Sequence, residues 1–435
     1  MAHEPLQMDK IVSLAKRRGF IFQGSDIYGG LAGTWDYGPL GVALKNNIKR
    51  LWWERFVARR SDMFGVESAI LMNAKVWEAS GHVATFTDPL IDCKKCKGRF
   101  RADKVDSAKG CPNCDARDFT QARPFNMMFK THVGPVENDG SSVYLRPETA
   151  QGMFVNFKNI IDAFHPKLPF GLAQIGKAFR NEITPGNFIF RSREFEQMEI
   201  EYFVREKEWE KHFDIWRGEM RDWMTAIGIT TFHEREVSSD ALAHYSKRTI
   251  DIDFDFPFGR EELYGIAYRT NFDLKNHEKT SGVDLSYTED DGSKYAPYVI
   301  EPTFGVERTV LALLVSAYEE EKLEKDTRTV LKFKPCIAPV TVAVFPLVAN
   351  KENIVGKAKE IYDGLRMHFS VQFDDIGNVG KRYRRQDEIG TPWCVTVDYQ
   401  TLEDDTVTVR DRDTMKQERI LSAELTADFK ERLCQ

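Results

Sequence analysis

The stretch from Pro169 to Val204, PFGLAQIGKAFRNEITPGNFIFRSREFEQMEIEYFV, limits the possible folds more than any other part of the chain. Two runs with strand-like alternation flank a loop that contains Pro185-Gly186-Asn187, residue types that reverse a chain. The pattern predicts a long antiparallel hairpin. Arg180, Glu182, Arg191, Arg193, Glu194, Glu196, Glu199 and Glu201 put charge at alternate or near-alternate positions among apolar and aromatic neighbours. On a sheet Glu199 and Glu201 share one face, as would Arg191 and Arg193, so charge is aimed inward or into a cleft. Charges under aromatic cover are costly unless paired or liganded.

Two readings follow. One is a salt-bridged sheet face. The other is a ligand that wants both signs, a polyphosphate for the arginines and an amine for the carboxylates, as an amino acid meeting ATP would be. The run Glu301-Pro302-Thr303-Phe304-Gly305-Val306-Glu307-Arg308 adds a carboxylate and an arginine beside a glycine that permits close backbone approach. No GxxxxGK[ST] phosphate loop occurs, so nucleotide binding would be on an antiparallel sheet.

Cys93-x-x-Cys96 and Cys111-x-x-Cys114, separated by 14 residues, supply four thiolates as two chelating pairs. Tetrahedral Zn²⁺ needs four soft donors. With no open position, the ion would be structural, and Lys94, Lys95 and Lys97 would soften the thiolate charge. A metal-free loop is the alternative. Residues 90–120, rich in Cys, Lys, Gly and Asp, read as an inserted module that protrudes from the main fold.

At 435 residues the chain is long enough for about two or three domains. Its 42% hydrophobic content excludes disorder for most of its length. Apolar runs such as 310–318 are too short to cross a bilayer, and the start MAHEPLQMDK has no apolar signal segment, so a cytoplasmic protein is expected. A net charge of −6 argues against coating nucleic acid by bulk charge, though local basic patches remain possible. No period of 20–50 residues repeats.

Helical spacing of Leu44, Ile48, Leu51 and Trp52 within 40–60 predicts an amphipathic helix that lies on the surface or packs against a second subunit. Residues 207–228 carry a core-facing stripe of Trp209, Phe213, Trp216, Met220 and Trp223, and 298–324 reads as strand, turn and a helix with an acidic solvated end. The charged stretch 319–335 is the expected domain boundary. Beyond it, strands alternate with a helix, describing a small α/β domain over 336–435.

Several stretches are recognisable together. GKAFRNEITPGNFIFRSREFEQMEIEYF resembles motif 2 of class II aminoacyl-tRNA synthetases, and GVERTVLALL (305–314) resembles motif 3. With GSDIYGGLAGTWDYGPLG (24–41), ASGHV (79–83), YLRPETAQGMFVNF (144–157), GKRYRRQDEIGTPWCVTVD and TVRDRDT (380–414), nearly the whole chain resembles the glycyl-tRNA synthetases of the single-polypeptide dimeric type. The resemblance implies an α+β fold. Residues 1–330 would form a class II catalytic domain of six or so antiparallel strands with flanking helices, carrying the zinc module as an insertion. A motif 1 helix would lie at a homodimer interface, and a C-terminal α/β domain would bind the anticodon. The implied reaction joins ATP and glycine as glycyl-adenylate, with Mg²⁺ on the phosphates, then transfers glycine to the 3′ end of tRNA(Gly).

Residue by residue, the resemblance implies that Arg180 holds the α-phosphate and Arg308 the γ-phosphate, while Phe195 stacks on adenine and Glu182 and Arg191 flank the nucleotide. Asn181, Phe190, Ser192, Arg193, Glu194, Glu262, Leu263, Gly305, Val306 and Glu307 fall in ATP-side segments. Glu148, Glu199 and Glu301 match acidic positions around the glycine ammonium, and Arg101 a substrate-side arginine. Glu196, Gln197, Met198, Pro302, Thr303 and Phe304 complete the glycine segments, which share Phe195 and Gly305. Thr303 stands where the family usually has serine, and Ala74 where proline is more usual. The substrate carboxylate attacks, so no covalent protein intermediate is expected, and His82, His132 and His244 read as packing or hydrogen-bonding residues. Lys381, Arg382, Arg384 and Arg385, beside Tyr383, read as a tRNA phosphate contact or as a solvated face.

Overall fold

The computed structural model describes residues 6–136, 141–324 and 326–433. In chain order the first part contains α1 (Met8–Arg18), α2 (Pro39–Trp53), β1 (Met63–Gly65), a small module of β2 (Thr87–Asp92), β3 (Arg99–Arg101) and β4 (Arg123–Asn126), and α3 (Ala150–Phe164). The hairpin strands β5 (Phe170–Phe179) and β6 (Glu194–Val204) follow, then α4 (Trp209–Ile227), β7 (His233–Glu236), β8 (Arg248–Phe256), β9 (Gly259–Thr270), α5 (Phe272–Ser281), β10 (Tyr298–Gly305) and α6 (Val306–Ala317).

Seven strands form one sheet in the order β7-β8-β9-β10-β6-β5-β1. Neighbours are antiparallel except β5 and β1, which run parallel. Alternation along each strand divides its side chains between two faces. Met198, Ile200 and Tyr202 of β6 and Phe304 of β10 join a core built with Trp52 of α2, Trp216 and Met220 of α4 and Val310 of α6. Aromatic side chains of this size bury ~150–250 Å² each, a gross hydrophobic gain of about 4–6 kcal/mol apiece at ~25 cal/mol per Å². Half of the opposite face is covered by α3 and α5, where Phe154, Phe157, Phe203 and Leu274 pack together. The other half faces a cavity.

The expected helix over 40–60 forms α2, followed by a π-turn over Glu54–Ala58. Its apolar face is used within this chain: the Trp52 ring centroid lies 5.8 Å from that of Phe304. The helix over 207–228 forms as α4, with Phe213, Trp216, Met220 and Trp223 buried and Trp209 stacked on Tyr268.

Two expectations need correction. The strands stop at Phe179 and start at Glu194, so Arg191 and Arg193 lie in the connecting loop and share no strand face. Asn187 and Phe188 adopt φ of 54° and 59°, and Gly186 and Arg191 exchange backbone hydrogen bonds at 3.2 Å, folding the loop on itself. Likewise, the acidic residues after α6 do not extend the helix. Tyr318–Lys322 is a strand, β11, paired with β12 (Thr327–Leu331), and Lys10, Arg328 and Lys332 pair with Glu320, Glu321 and Glu319 along it.

The C-terminal part consists of β13 (Val342–Pro346), α7 (Glu352–Leu365), β14 (Val371–Phe373), α8 (Val379–Ile389), β15 (Trp393–Val397), β16 (Thr406–Asp411), β17 (Gln417–Leu421) and α9 (Leu425–Leu433). Its sheet, ordered β14-β13-β15-β16-β17, packs α7 and α9 on one face and α8 on the other. Buried Arg328 of β12 makes two bonds to Asp387 of α8, at 2.7 and 2.8 Å, and joins the two parts of the chain.

Candidate active site

The hairpin, β9, β10 and the start of α6 enclose a cavity of about 300 Å³. Arg180, Glu182, Phe190, Arg191, Ser192, Phe195 and Gln197 line it from the hairpin, Glu262 and Leu263 from β9, and Thr303, Gly305, Glu307 and Arg308 from the β10–α6 turn; Arg101 reaches in from β3. Arginines from distant stretches therefore share one space. The Arg180 Nε donates to Pro147 O at 3.0 Å, and its guanidinium sits 5.2 Å from the Phe195 ring centroid. Arg308 lies 4.6 Å over Phe190 and pairs with Glu262 at 3.2 Å. Arg101 is held by Asp88 at 2.7 Å and by Asp103 at 2.9 Å.

Inward from the cavity, the same sheet face becomes strongly acidic. Glu199 accepts from Thr303 Oγ1 at 3.1 Å and from the Thr149 hydroxyl. Glu201 lies one step deeper, and Glu301 is buried beside it. Fully buried Arg269 donates to Glu301 at 2.6 Å and twice to Asp273 at 2.9 Å, with its guanidinium 3.7 Å from the Tyr245 ring centroid. Burial, helped by mutual repulsion, raises Glu199, Glu201 and Glu301 above the usual carboxylate range. Burial would raise Glu148 too, but the neighbouring His82 and Arg269 hold it low. Its oxygens face His82 Nε2 at 3.4 Å and Gln151 Nε2 at 3.0 Å. The other two histidines singled out also sit at hydrogen-bonding distance, His244 from Ser80 O and His132 from Ser141.

Other expected site residues lie away from this space. Glu196 and Met198 point to the helix-packed face, where Glu196 pairs with Lys45 at 2.5 Å. Phe304 and Val306 are in the core, and Pro302 alternates onto that face with Phe304. Glu194 pairs with Lys177, the Arg193 guanidinium binds Ala32 O and Glu182 O, and Asn181 lines a separate cleft with Arg193. Arg269 and Tyr245 lie outside the motif stretches, whereas Thr149 falls within YLRPETAQGMFVNF without being singled out; a charged residue directly after the apolar run IAY is the pointer to Arg269.

In the small module each Cys pair forms the same turn. The N–H of Lys97 bonds Cys93 O at 2.9 Å and that of Asp115 bonds Cys111 O at 2.8 Å. Lys97 and Asp115 take φ of 61° and 57°. The sulfurs meet across the pairs, Cys93 with Cys114 and Cys96 with Cys111, each at 3.6 Å. A tetrahedral ion with ~2.3 Å sulfur bonds needs sulfurs about 3.8 Å apart, so this donor set fits zinc. Backbone N–H groups of Cys96 and Lys95 bring the Cys93 thiol down to about 6.

The basic run in the C-terminal part divides. Arg382 is 1% exposed and its guanidinium is spent on the carbonyls of Pro346, Asp375 and Gly377. Arg385 is held by Asp374 at 2.8 and 2.9 Å. As a tRNA contact Arg382 is therefore corrected: it holds the loop before α8. Lys381 is exposed, and Arg384 is half-buried with its guanidinium 3.7 Å from Asp326, a looser hold than that on Arg385.

An antiparallel sheet whose long hairpin carries arginines into a cavity, joined to a separate α/β domain, defines a class II tRNA synthetase. Residues 129–317 match the tRNA synthetase class II core domain (G, H, P, S and T), and 341–432 the anticodon binding domain. The chain is 53% identical to the glycine–tRNA ligase of Caldanaerobacter subterraneus subsp. tengcongensis, covering 95% of each chain. It is 51% identical to that of Alkaliphilus oremlandii over 98% of each, and 51% identical to that of Geobacillus thermodenitrificans over 97% of this chain and 96% of the relative. The chain belongs to the glycine–tRNA ligase family. Among its described residues no helix is long and apolar enough to cross a membrane.

Proposed function

We propose that the chain activates glycine with ATP and transfers it to the 3′ end of tRNA(Gly). The convergence of Arg180 and Arg308 on one cavity next to a buried acidic wall carries the reading. The glycine carboxylate attacks the α-phosphorus and pyrophosphate leaves. Negative charge grows on the non-bridging oxygens, and Arg180 is placed to stabilise it. Arg308 holds the far phosphates, Phe195 and Phe190 offer ring faces to the base, and Glu148, Glu199 and Glu301 supply the negative field that receives the ammonium. Glycine offers no side chain to grip, so selectivity rests on reading its charged ends and leaving no room beyond Cα. Thr303 adds a methyl group there compared with serine and keeps its hydroxyl on Glu199.

Glu262 at the cavity wall is a hard oxygen donor that would hold Mg²⁺ brought with ATP, and the ion would supply positive charge to the phosphates. One structural Zn²⁺ on the four cysteines would fix the module that carries Arg101. Residues 336–435 serve as the anticodon domain, with Lys381 and Arg384 toward phosphates and residues 1–330 as the catalytic domain. A homodimer is supported by the exposed apolar side chains of Ile27, Tyr28 and Leu31, and the cytoplasm by two Cys-x-x-Cys pairs whose four thiols are gathered as a metal donor set. The test is pyrophosphate exchange into ATP with each amino acid in turn. Exchange with glycine, and little with alanine or serine, is expected; no glycine-dependent exchange rejects the reading.

A further inference from the structure

Glu201 has no job in the reaction just described. It is 0% exposed, and neither carboxylate oxygen has a hydrogen-bond partner among the described residues. In register it faces Leu172 of β5, and it lies one alternation inward of Glu199 on the face that lines the cavity. Oxygens of Glu199, Glu201 and Glu301 lie within 4.8 Å of one another. Three oxygens at that spacing or closer can all lie within about 2.8 Å of one central atom, the ~2.7–2.9 Å reach of a charge-assisted hydrogen bond, and closer spacing suits a hard metal ion.

The local charge does not balance. Glu148 and Asp273 add two more buried carboxylates, while Arg269 is shared between Asp273 and Glu301. Arg146, the other guanidinium close by, donates to Lys177 O and Ser68 O. His82 serves Glu148, and burial keeps His277 toward its neutral form. Buried carboxylates of this number are stable only when a positive charge or protons compensate them.

We propose that Glu199, Glu201 and Glu301 bind one compact cation at the inner end of the amino-acid site, with Glu201 as the acceptor that the family resemblance leaves out. Two sources offer that chemistry: the ammonium of the amino acid and an inorganic cation such as Mg²⁺ or Mn²⁺. The inference rests on the reading of the cavity as a site for glycine and ATP.

The experiment uses the full chain without ATP. Melting temperature is followed on addition of methylammonium chloride and glycine in one arm, and of MgCl₂ or MnCl₂ in the other. Glycine-dependent exchange is measured in parallel. A saturable rise is expected for the wild type in one arm, which names the source, and it should be lost in Glu201→Gln. Glu201→Leu, an apolar filling that a buried site tolerates, should lose it too and covers the case in which the glutamine variant does not fold. If ammonium is the cation, both variants should raise the KM for glycine at least tenfold and leave that for ATP within twofold. No rise in either arm, or a rise with the same midpoint in a folded variant, overturns the proposal. If the wild type shows no glycine-dependent exchange, the functional reading fails instead, and the two failures are told apart.

Discussion

Replacing Arg180 with alanine tests the electrostatic core of the mechanism. Its guanidinium has a single hydrogen bond, from Nε to Pro147 O at 3.0 Å, and no carboxylate pairs with it among the described residues, so its terminal nitrogens remain for substrate. Removing a preorganised donor aimed at growing oxyanion charge costs ~2.7–4 kcal/mol, or about 10²–10³ in kcat. Arg308 differs because Glu262, at 3.2 Å, already neutralises part of its charge. Its alanine variant should lose less, about ten- to a hundredfold. Arg180→Lys keeps the charge but not the planar fork, and should fall between wild type and alanine. Pyrophosphate exchange at saturating ATP and glycine reads kcat, with each KM taken separately. An Arg180→Ala enzyme within tenfold of wild type, or one whose whole loss lies in the KM for glycine, would refute the assignment.

Metal analysis should find about one zinc per chain. Cys96→Ser should lose it and, because β3 presents Arg101 to the cavity, raise the KM of a substrate; an unchanged enzyme lacking zinc counts against a structural role. Lys381→Ala and Arg384→Ala should weaken tRNA binding with a shallower salt dependence, whereas Arg382→Ala, which frees two carbonyls in the loop before α8 and one at the end of β13, should lower the melting temperature instead. Asp387→Asn leaves Arg328 and Arg410 short of a buried partner, a loss of about 3–5 kcal/mol, and should make the β12–α8 junction protease-sensitive and reduce tRNA charging more than exchange. Glu234, although burial would raise it, is brought down to about 2 by Arg221 and Arg217. Because its folded value lies below the ordinary one near 4.5, its contribution is present above that pH and fades toward 2. Acid unfolding of Glu234→Gln should therefore begin from a lower stability, by about 1 kcal/mol, and show a shallower pH slope in that window.

What could be read from the residues depended on whether the decisive contacts were local. Period-two alternation is a property of consecutive residues, so β5 and β6 and the shared face of Glu199 and Glu201 were visible without a structure. The spacing of the cysteines likewise encodes two turns, each closed by its own backbone bonds. The alternation does not extend to Arg191 and Arg193: Asn187 is a residue type that tolerates the left-handed conformation, but nothing in the pattern announces it at Phe188, where the loop turns back on itself. Helix α8 is hidden for another reason: its buried face carries Arg382, Gln386 and Asp387 beside Ile389, and their partners come from β12, β13, β14, β16 and the loops on either side of the helix. Arg269 follows the same rule, since its carboxylates come from α5 and β10 and its aromatic cover from Tyr245. Buried charge has no periodic signature because its compensation is assembled across the fold. Glu201 shows both halves of this rule: alternation puts it on the face of Glu199, but that its carboxylate has no hydrogen-bond partner among the described residues depends on neighbours from other strands and is visible only in the folded chain.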